Sequence, residues 1–197
     1  MKTIVYSGTF DPPTNGHVNI VKLLTSIPDV DTIYVCPSFN PLKSNTSHFV
    51  HRVEMCKLAF DGIDERIVVS NMENELFEMT KGYTYNLINE LKAWTGDGIR
   101  LVIGYDLVDE ISSKWFKGDK LINECDFIIV PRRDGSGKVI EPTQQWYKKP
   151  NHTILDVEAT TFSSSEIRTL VYSGGDVSAL LPINVIEYIT KVNLYAN

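Results

Sequence analysis

Six short runs rich in β-branched and other apolar residues punctuate the chain, at 3–6, 32–36, 67–70, 100–103, 127–130 and 153–157. Elsewhere, over 15–25, 48–60, 84–94, 164–173 and 182–192, the pattern is that of helices covering a sheet. In the first of these Ile20, Val21 and Leu24 share a face with His17. Strands alternating with helices predict an α/β fold, a doubly wound and mostly parallel sheet. The 197 residues, 43% of them hydrophobic, suffice for one substantial core and are few for two, so a single domain over 1–197 is expected.

Lys and Arg number 19 against 25 Asp and Glu, a net charge of −6. That balance argues against a general nucleic-acid binder, whose affinity rests on many cations set against phosphates. Any anion bound here must be met by a local site. Cys36, Cys56 and Cys125 are odd in number and widely spaced, which leaves neither a disulfide framework nor a C-x-x-C site and points to reduced, intracellular thiols. No run approaches the roughly 18 apolar residues of a membrane span, and the first apolar stretch is far too short for a secretory signal. A cytoplasmic protein with no nucleic-acid or membrane partner is expected; the sequence is compatible with a homo-oligomer and does not specify one.

Two connections, 37–47 and 132–150, are long for a compact α/β domain, where roughly 2–6 residues is usual. Each reads equally as a lid over a substrate or as an insertion without a role. His48 and His51 stand about one helical turn apart, as a metal pair would, but no third ligand accompanies them, so no protein-held metal is expected.

Residues 7–17 read SGTFDPPTNGH. A strand ends at Ser7 and Gly8, the chain turns through Asp11, Pro12 and Pro13, and a helix begins near Thr14 or Asn15. Unpaired N–H groups and the positive end of the helix dipole suit an anion such as phosphate. Gly8 and Gly16 let backbone approach a ligand with no Cβ in the way. Thr14 can cap the helix and offer its hydroxyl to an anion. His17 falls in the first turn, where its ring N–H is a donor in either protonation state. Taken alone, His17 reads more readily as a core histidine bonded to a carbonyl; the company of Gly8, Thr14 and Gly16 reverses that preference.

Near the other end, Ser163-Ser164-Ser165-Glu166 forms a capping box, with Gly174 and Gly175 as a left-handed stop. Arg168 lies within two turns of that helix start, where a guanidinium can join serine hydroxyls and N–H groups around phosphate oxygens. A capping box by itself is common and purely structural. Between the two ends, the strand closing at Ile103 leads to a tight turn at Gly104 and to Asp106, whose carboxylate can accept from a ribose hydroxyl. With strand order 3-2-1-4-5, the ligand crevice opens between the first and fourth strands, where Gly8 and Gly104 lie.

Gly8-Thr9-Phe10-Asp11-Pro12 with Thr14-Asn15-Gly16-His17 resembles the G-T-F-D-P…[HT]-x-G-H signature of the nucleotidylyltransferase superfamily, whose fold is Rossmann-like. The stretch from Ser163 through Arg168 resembles the S-S-[ST]-x-I-R motif with which that superfamily binds the triphosphate of ATP. Further likeness to the bacterial nicotinate-nucleotide adenylyltransferase family covers nearly the whole chain: Pro37, Asn40, Pro41 and Lys43 resemble its substrate loop, Tyr83-Thr84 a nucleotide-contacting segment, Gly104, Asp106 and Trp115 its G-x-D…W stretch, and Val130 with Arg132 its V-x-R.

The resemblance implies ATP and a pyridine mononucleotide as substrates, joined with release of pyrophosphate, in NAD biosynthesis. It places His17, Thr14 and Arg168 in catalysis; Gly8, Thr9, Phe10, Gly16, Gly104, Asp106, Arg132, Ser163 and Ser164 around ATP; and Asn40, Lys43, Thr84, Trp115 and Phe116 around the mononucleotide, with the indole of Trp115 stacked on the pyridine ring. Trp115 also reads as a core anchor. Mg²⁺ is implied as a companion of the ATP phosphates. Thr14 stands where this family usually has histidine and is more typical of phosphopantetheine adenylyltransferases. Asn86 and Leu87 replace its usual Asp and Thr, and Phe116 often gives way to tyrosine there. A nicotinamide-mononucleotide or phosphopantetheine adenylyltransferase, or a nucleotide-binding module without turnover, are the alternatives.

Overall fold

The computed structural model describes residues 2–39, 46–133, 136–157 and 162–196. The strands are β1 (Thr3–Gly8), β2 (Thr32–Pro37), β3 (Ile67–Val69), β4 (Ile99–Gly104), β5 (Asp126–Val130) and β6 (Thr153–Ile154). They form a six-stranded sheet in the order β3-β2-β1-β4-β5-β6, and every ladder is parallel. The helices are α1 (Asn15–Thr25), α2 (Phe49–Phe60), α3 (Met72–Glu75), α4 (Phe77–Thr80), α5 (Thr84–Thr95), α6 (Tyr105–Lys114), α7 (Gly118–Glu124), α8 (Ser164–Tyr172) and α9 (Ile183–Lys191).

Both faces of the sheet are covered, which is why its central strands read as unbroken apolar runs. Along β1 the side chains alternate: Ile4 and Tyr6 join one core with Val21 and Leu24 of α1, Met55 of α2 and Val185 of α9, whereas Val5 joins another with Leu91 of α5 and Ile111 of α6. In β5, Ile128 and Val130 face the first core and Phe127 and Ile129 the second.

The structure extends the expected order by β6 at the edge and shortens that strand. The run 153–157 pairs with β5 only through Thr153 and Ile154. It also adds α3, α4, α6 and α7, none of them among the expected helices. Gly118 opens α7 because a Cβ there would collide with the Ile111 carbonyl, so α6 and α7 pack backbone to backbone. Of the two long connections, 40–45 lies outside the described residues. In the second, the Asp109 carboxylate accepts from the Thr143 and Gln144 N–H groups (2.9 and 2.8 Å), the Trp146 indole N–H donates to the Val108 carbonyl (3.2 Å), and Tyr147 is buried, so 143–147 is docked on α6.

At the carboxyl edge, the β1–β4 ladder runs from Thr3–Ile99 to Val5–Leu101, and both strands continue beyond it to Gly8 and Gly104. Strand order reverses between them, so a crevice opens there, between the start of α1 and the start of α6.

Candidate active site

That crevice is a cleft of ≈ 630 Å³. Every residue assigned from the sequence to catalysis or to ATP lines it: Gly8, Thr9, Phe10, Thr14, Gly16 and His17 from the first turn, Gly104, Asp106 and Arg132 from β4 and the end of β5, and Ser163, Ser164 and Arg168 from α8. His17 and Arg168, from opposite ends of the chain, therefore share one pocket.

Thr14 is the N-cap of α1, and His17 completes a capping box with it. The Thr14 main-chain N–H donates to His17 Nδ1 at 2.8 Å. The Thr14 hydroxyl lies 2.9 Å from the same nitrogen and accepts the His17 main-chain N–H at 3.3 Å. A nitrogen that accepts from an amide carries no proton, so the neutral ring bears its proton on Nε2. Burial, and then the charge of Arg132, push the imidazole down to about 4, so this neutral tautomer is the form present near pH 7. The Thr14 hydroxyl is engaged with His17, and the residue is buried at the cleft wall.

Phe10 lines the cleft with a ring that also belongs to the core. Its ring is 3% exposed and meets Tyr6, His17 and Phe60 edge-on, at centroid distances of 5.2, 5.1 and 6.2 Å. It buttresses the imidazole from the core. Gly8 answers the same ring: a Cβ there would stand 3.1 Å from Phe10 Cζ. At Gly104 a Cβ would meet the Asp106 carboxylate and, at 3.0 Å, Arg132 Cδ, so both side chains would have to shift. Arg132 Nη1 donates to Asp106 Oδ2 at 3.1 Å, with both side chains partly exposed. The Asp106 carboxylate is thus oriented at the cleft wall.

In α8, Ser163 caps the helix as expected, and Glu166 reaches back to accept from its N–H and hydroxyl, both at 2.7 Å. These bonds hold the Glu166 carboxyl below its usual range. The Ser164 hydroxyl donates to the Pro12 carbonyl at 2.9 Å, which ties α8 to the first turn. Arg168 Nη1 donates to the Asp11 carbonyl at 2.7 Å and Nη2 to the Ser165 hydroxyl at 3.2 Å. The hydroxyl protons of Ser163 and Ser164 are therefore spent on the protein, the Ser165 hydroxyl accepts from Arg168, and the guanidinium keeps further N–H donors in hand.

Beneath the first turn lies a polar layer to which the sequence reading gave no role. Arg52, 4% exposed, donates to the carbonyls of Thr9 (2.8 Å), Ser38 (2.9 Å) and Ser47 (3.2 Å). Burial lowers its guanidinium from the usual range, opposed by the charges of Asp11 and others. The Ser7 hydroxyl donates to Glu73 at 2.7 Å, and burial raises the Glu73 carboxyl. A buried arginine among apolar helix positions was the available signal, since such a group must find acceptors.

Of the residues assigned to the mononucleotide, Thr84, Trp115 and Phe116 are not part of the cleft lining. Asn40 and Lys43 lie outside the described residues. Thr84 opens α5, and Trp115 ends α6, about 15 Å along that helix from Gly104. Phe116 stacks on Tyr83 (4.5 Å, 25°), and Lys117 Nζ sits 5.0 Å from the Phe116 ring and 4.9 Å from that of Tyr85. Trp115 packs partly against the second core, as a core anchor would.

Residues 5–170 match the cytidylyltransferase-like family model. A Clostridium kluyveri protein named "Probable nicotinate-nucleotide adenylyltransferase" is 31% identical over 208 residues, covering 99% of each chain. A Fusobacterium nucleatum protein of the same name is 30% identical over 195 residues, covering 97% of this chain and 98% of its own. Among solved structures, Plasmodium falciparum nicotinic acid mononucleotide adenylyltransferase complexed with NaAD superposes with a TM-score of 0.77 over 99% of this chain and 98% of that one; at 24% identity the likeness is one of fold. With its signature residues gathered in one cleft, the chain belongs to the cytidylyltransferase-like family, and within it to the nicotinate-nucleotide adenylyltransferases.

Proposed function

We propose that the chain, acting as a single domain, joins ATP to nicotinate mononucleotide and releases pyrophosphate and the deamido form of NAD. The observation that carries this reading is the convergence of His17 and Arg168 on one cleft at the switch point of the sheet. The names of its relatives supply the substrate pair.

The nucleophile is the 5′-phosphate of the mononucleotide, whose second pKa of ~6 leaves it mostly dianionic at neutral pH. It needs no general base, and His17, protonated on Nε2, has no vacant nitrogen with which to act as one. The barrier lies in aligning two polyanions and stabilising charge on the phosphoryl groups. His17 donates from Nε2 to the α-phosphate, Arg168 and the first N–H groups of α8 hold the β- and γ-phosphates, and Thr14 orients the imidazole. Asp106, oriented by Arg132, receives a ribose hydroxyl. Mg²⁺ arrives as part of the nucleotide substrate. Trp115, Thr84 and Phe116, with Asn40 and Lys43, receive the mononucleotide.

Pyrophosphate release in the presence of ATP and, separately, nicotinate mononucleotide, nicotinamide mononucleotide and phosphopantetheine tests the proposal. Turnover with the first at the highest kcat/KM is the expected result. Preference for phosphopantetheine, towards which Thr14 points, or absence of pyrophosphate with all three overturns it.

A further inference from the structure

Tyr195 lies beyond α9 and outside the residues that the family model matches, yet its hydroxyl bonds Asp11, a residue of the cleft lining. Resting on the ATP reading above, we infer that Tyr195 is a positioning residue for the triphosphate-binding end of the cleft, acting through the Asp11 carboxylate on Arg168.

Asp11 is 0% exposed, and its carboxylate joins four parts of the chain. Oδ1 accepts from the Tyr195 hydroxyl at 2.6 Å and from the Ser47 hydroxyl. Oδ2 accepts from the Ser47 N–H at 3.0 Å and stands 3.7 Å from Arg168 Nη1. The guanidinium is therefore held by the Asp11 carbonyl at 2.7 Å, while its contact with the carboxylate stays long. An arginine beside a buried carboxylate ordinarily closes into a short, bidentate pair. Here Tyr195 and Ser47 supply three donors, two of them to Oδ1, and the guanidinium is located by the main-chain carbonyl without a fork onto the carboxylate.

The tyrosine is placed by the chain end, not by chance contact. The Leu194 N–H donates to the Ile189 carbonyl at 2.9 Å, Leu194 and Tyr195 pack against the first core, and the phenol oxygen is 3.9 Å from Met55 Sδ. Burial, then the Asp11 charge, raise the phenol, so it stays a donor throughout the physiological range. Removing that donor leaves Oδ1 of a buried carboxylate short of one partner, and Arg168, 3.7 Å from Oδ2, is a cation already beside the group. The predicted consequence is a guanidinium drawn onto Asp11 and away from phosphate.

The test is the dissociation constant of a non-hydrolysable ATP analogue, by fluorescence titration, in wild type, Tyr195→Phe, Arg168→Ala and the double variant, with KM values for both substrates. Tyr195→Phe keeps the ring and its packing. Its expected effect is about tenfold weaker analogue binding, an unchanged KM for the mononucleotide, and no further loss when Arg168 is already alanine. An unchanged dissociation constant, or an equal loss in both Arg168 backgrounds, overturns the inference and leaves the adenylyltransferase reading intact. Failure of the wild type to bind the analogue overturns both.

Discussion

The main-chain N–H of Thr14 donates to Nδ1 of His17, so the ring offers the cleft a proton and no lone pair. A histidine in this arrangement stabilises developing negative charge and leaves proton abstraction to no one, as a dianionic nucleophile allows.

Replacing His17 with alanine is therefore expected to lower kcat by about 10²–10³-fold, the scale of losing one oxyanion donor. The fold should persist, because the ring lies at the cleft and α1 keeps Ile20, Val21 and Leu24 in the core. Pyrophosphate release beside a thermal melt separates the two effects; near-normal turnover removes His17 from the chemistry.

The same ring links stability to pH. Its value is about 4 in the folded protein against 6.5 ordinarily, lowered by burial and by Arg132. Between those values the unfolded chain binds a proton that the native ring does not, so stability rises with pH across the window and levels off above it. The melting temperature should fall on acidification from pH 6.5 to 4, less steeply in His17→Gln. In an NMR titration of the free protein the imidazole should stay neutral at pH 6.

Thr14→Ala removes the capping hydroxyl of α1 but keeps the main-chain donor to Nδ1. The expected cost is about 1 kcal/mol of stability, restored by Thr14→Ser, with a much smaller fall in kcat than that of His17→Ala. A fall as large as that of His17→Ala would give the hydroxyl a direct part in the reaction.

Arg52→Met strands the carbonyls of Thr9, Ser38 and Ser47 in a buried place. A loss of roughly 3 kcal/mol or more is expected in denaturant unfolding. An effect below 1 kcal/mol would mean that water replaces the guanidinium.

The central strands and α1 were legible because burial on both faces, or on one stripe, leaves a period in the sequence, and α1 begins and ends as that period predicts. The four-residue helices α3 and α4 are too short to show a period. Helix α6 starts directly at the end of β4, within the segment that its glycine marks as a turn, although Val108 and Ile111 carry its buried stripe. At the site, His17 and Arg168 stand in local motifs that announce a helix start beside a donor. Asp11, between a phenylalanine and two prolines, reads as a turn residue, and only the fold reveals its carboxylate as fully buried. Nothing local marks Tyr195, whose partner lies 184 positions away.

Strand β1 has neighbours on both edges and helices over both faces, so its amides should exchange with deuterium only through global opening of the molecule. The end of the cleft proposed to hold the triphosphate is thereby bolted to the element expected to exchange most slowly. The Tyr83–Phe116 stack, by contrast, is exposed and lies off the sheet. On the proposed assignment of sites, the choice of second nucleotide can drift at the periphery while the phosphate-handling frame stays unaltered.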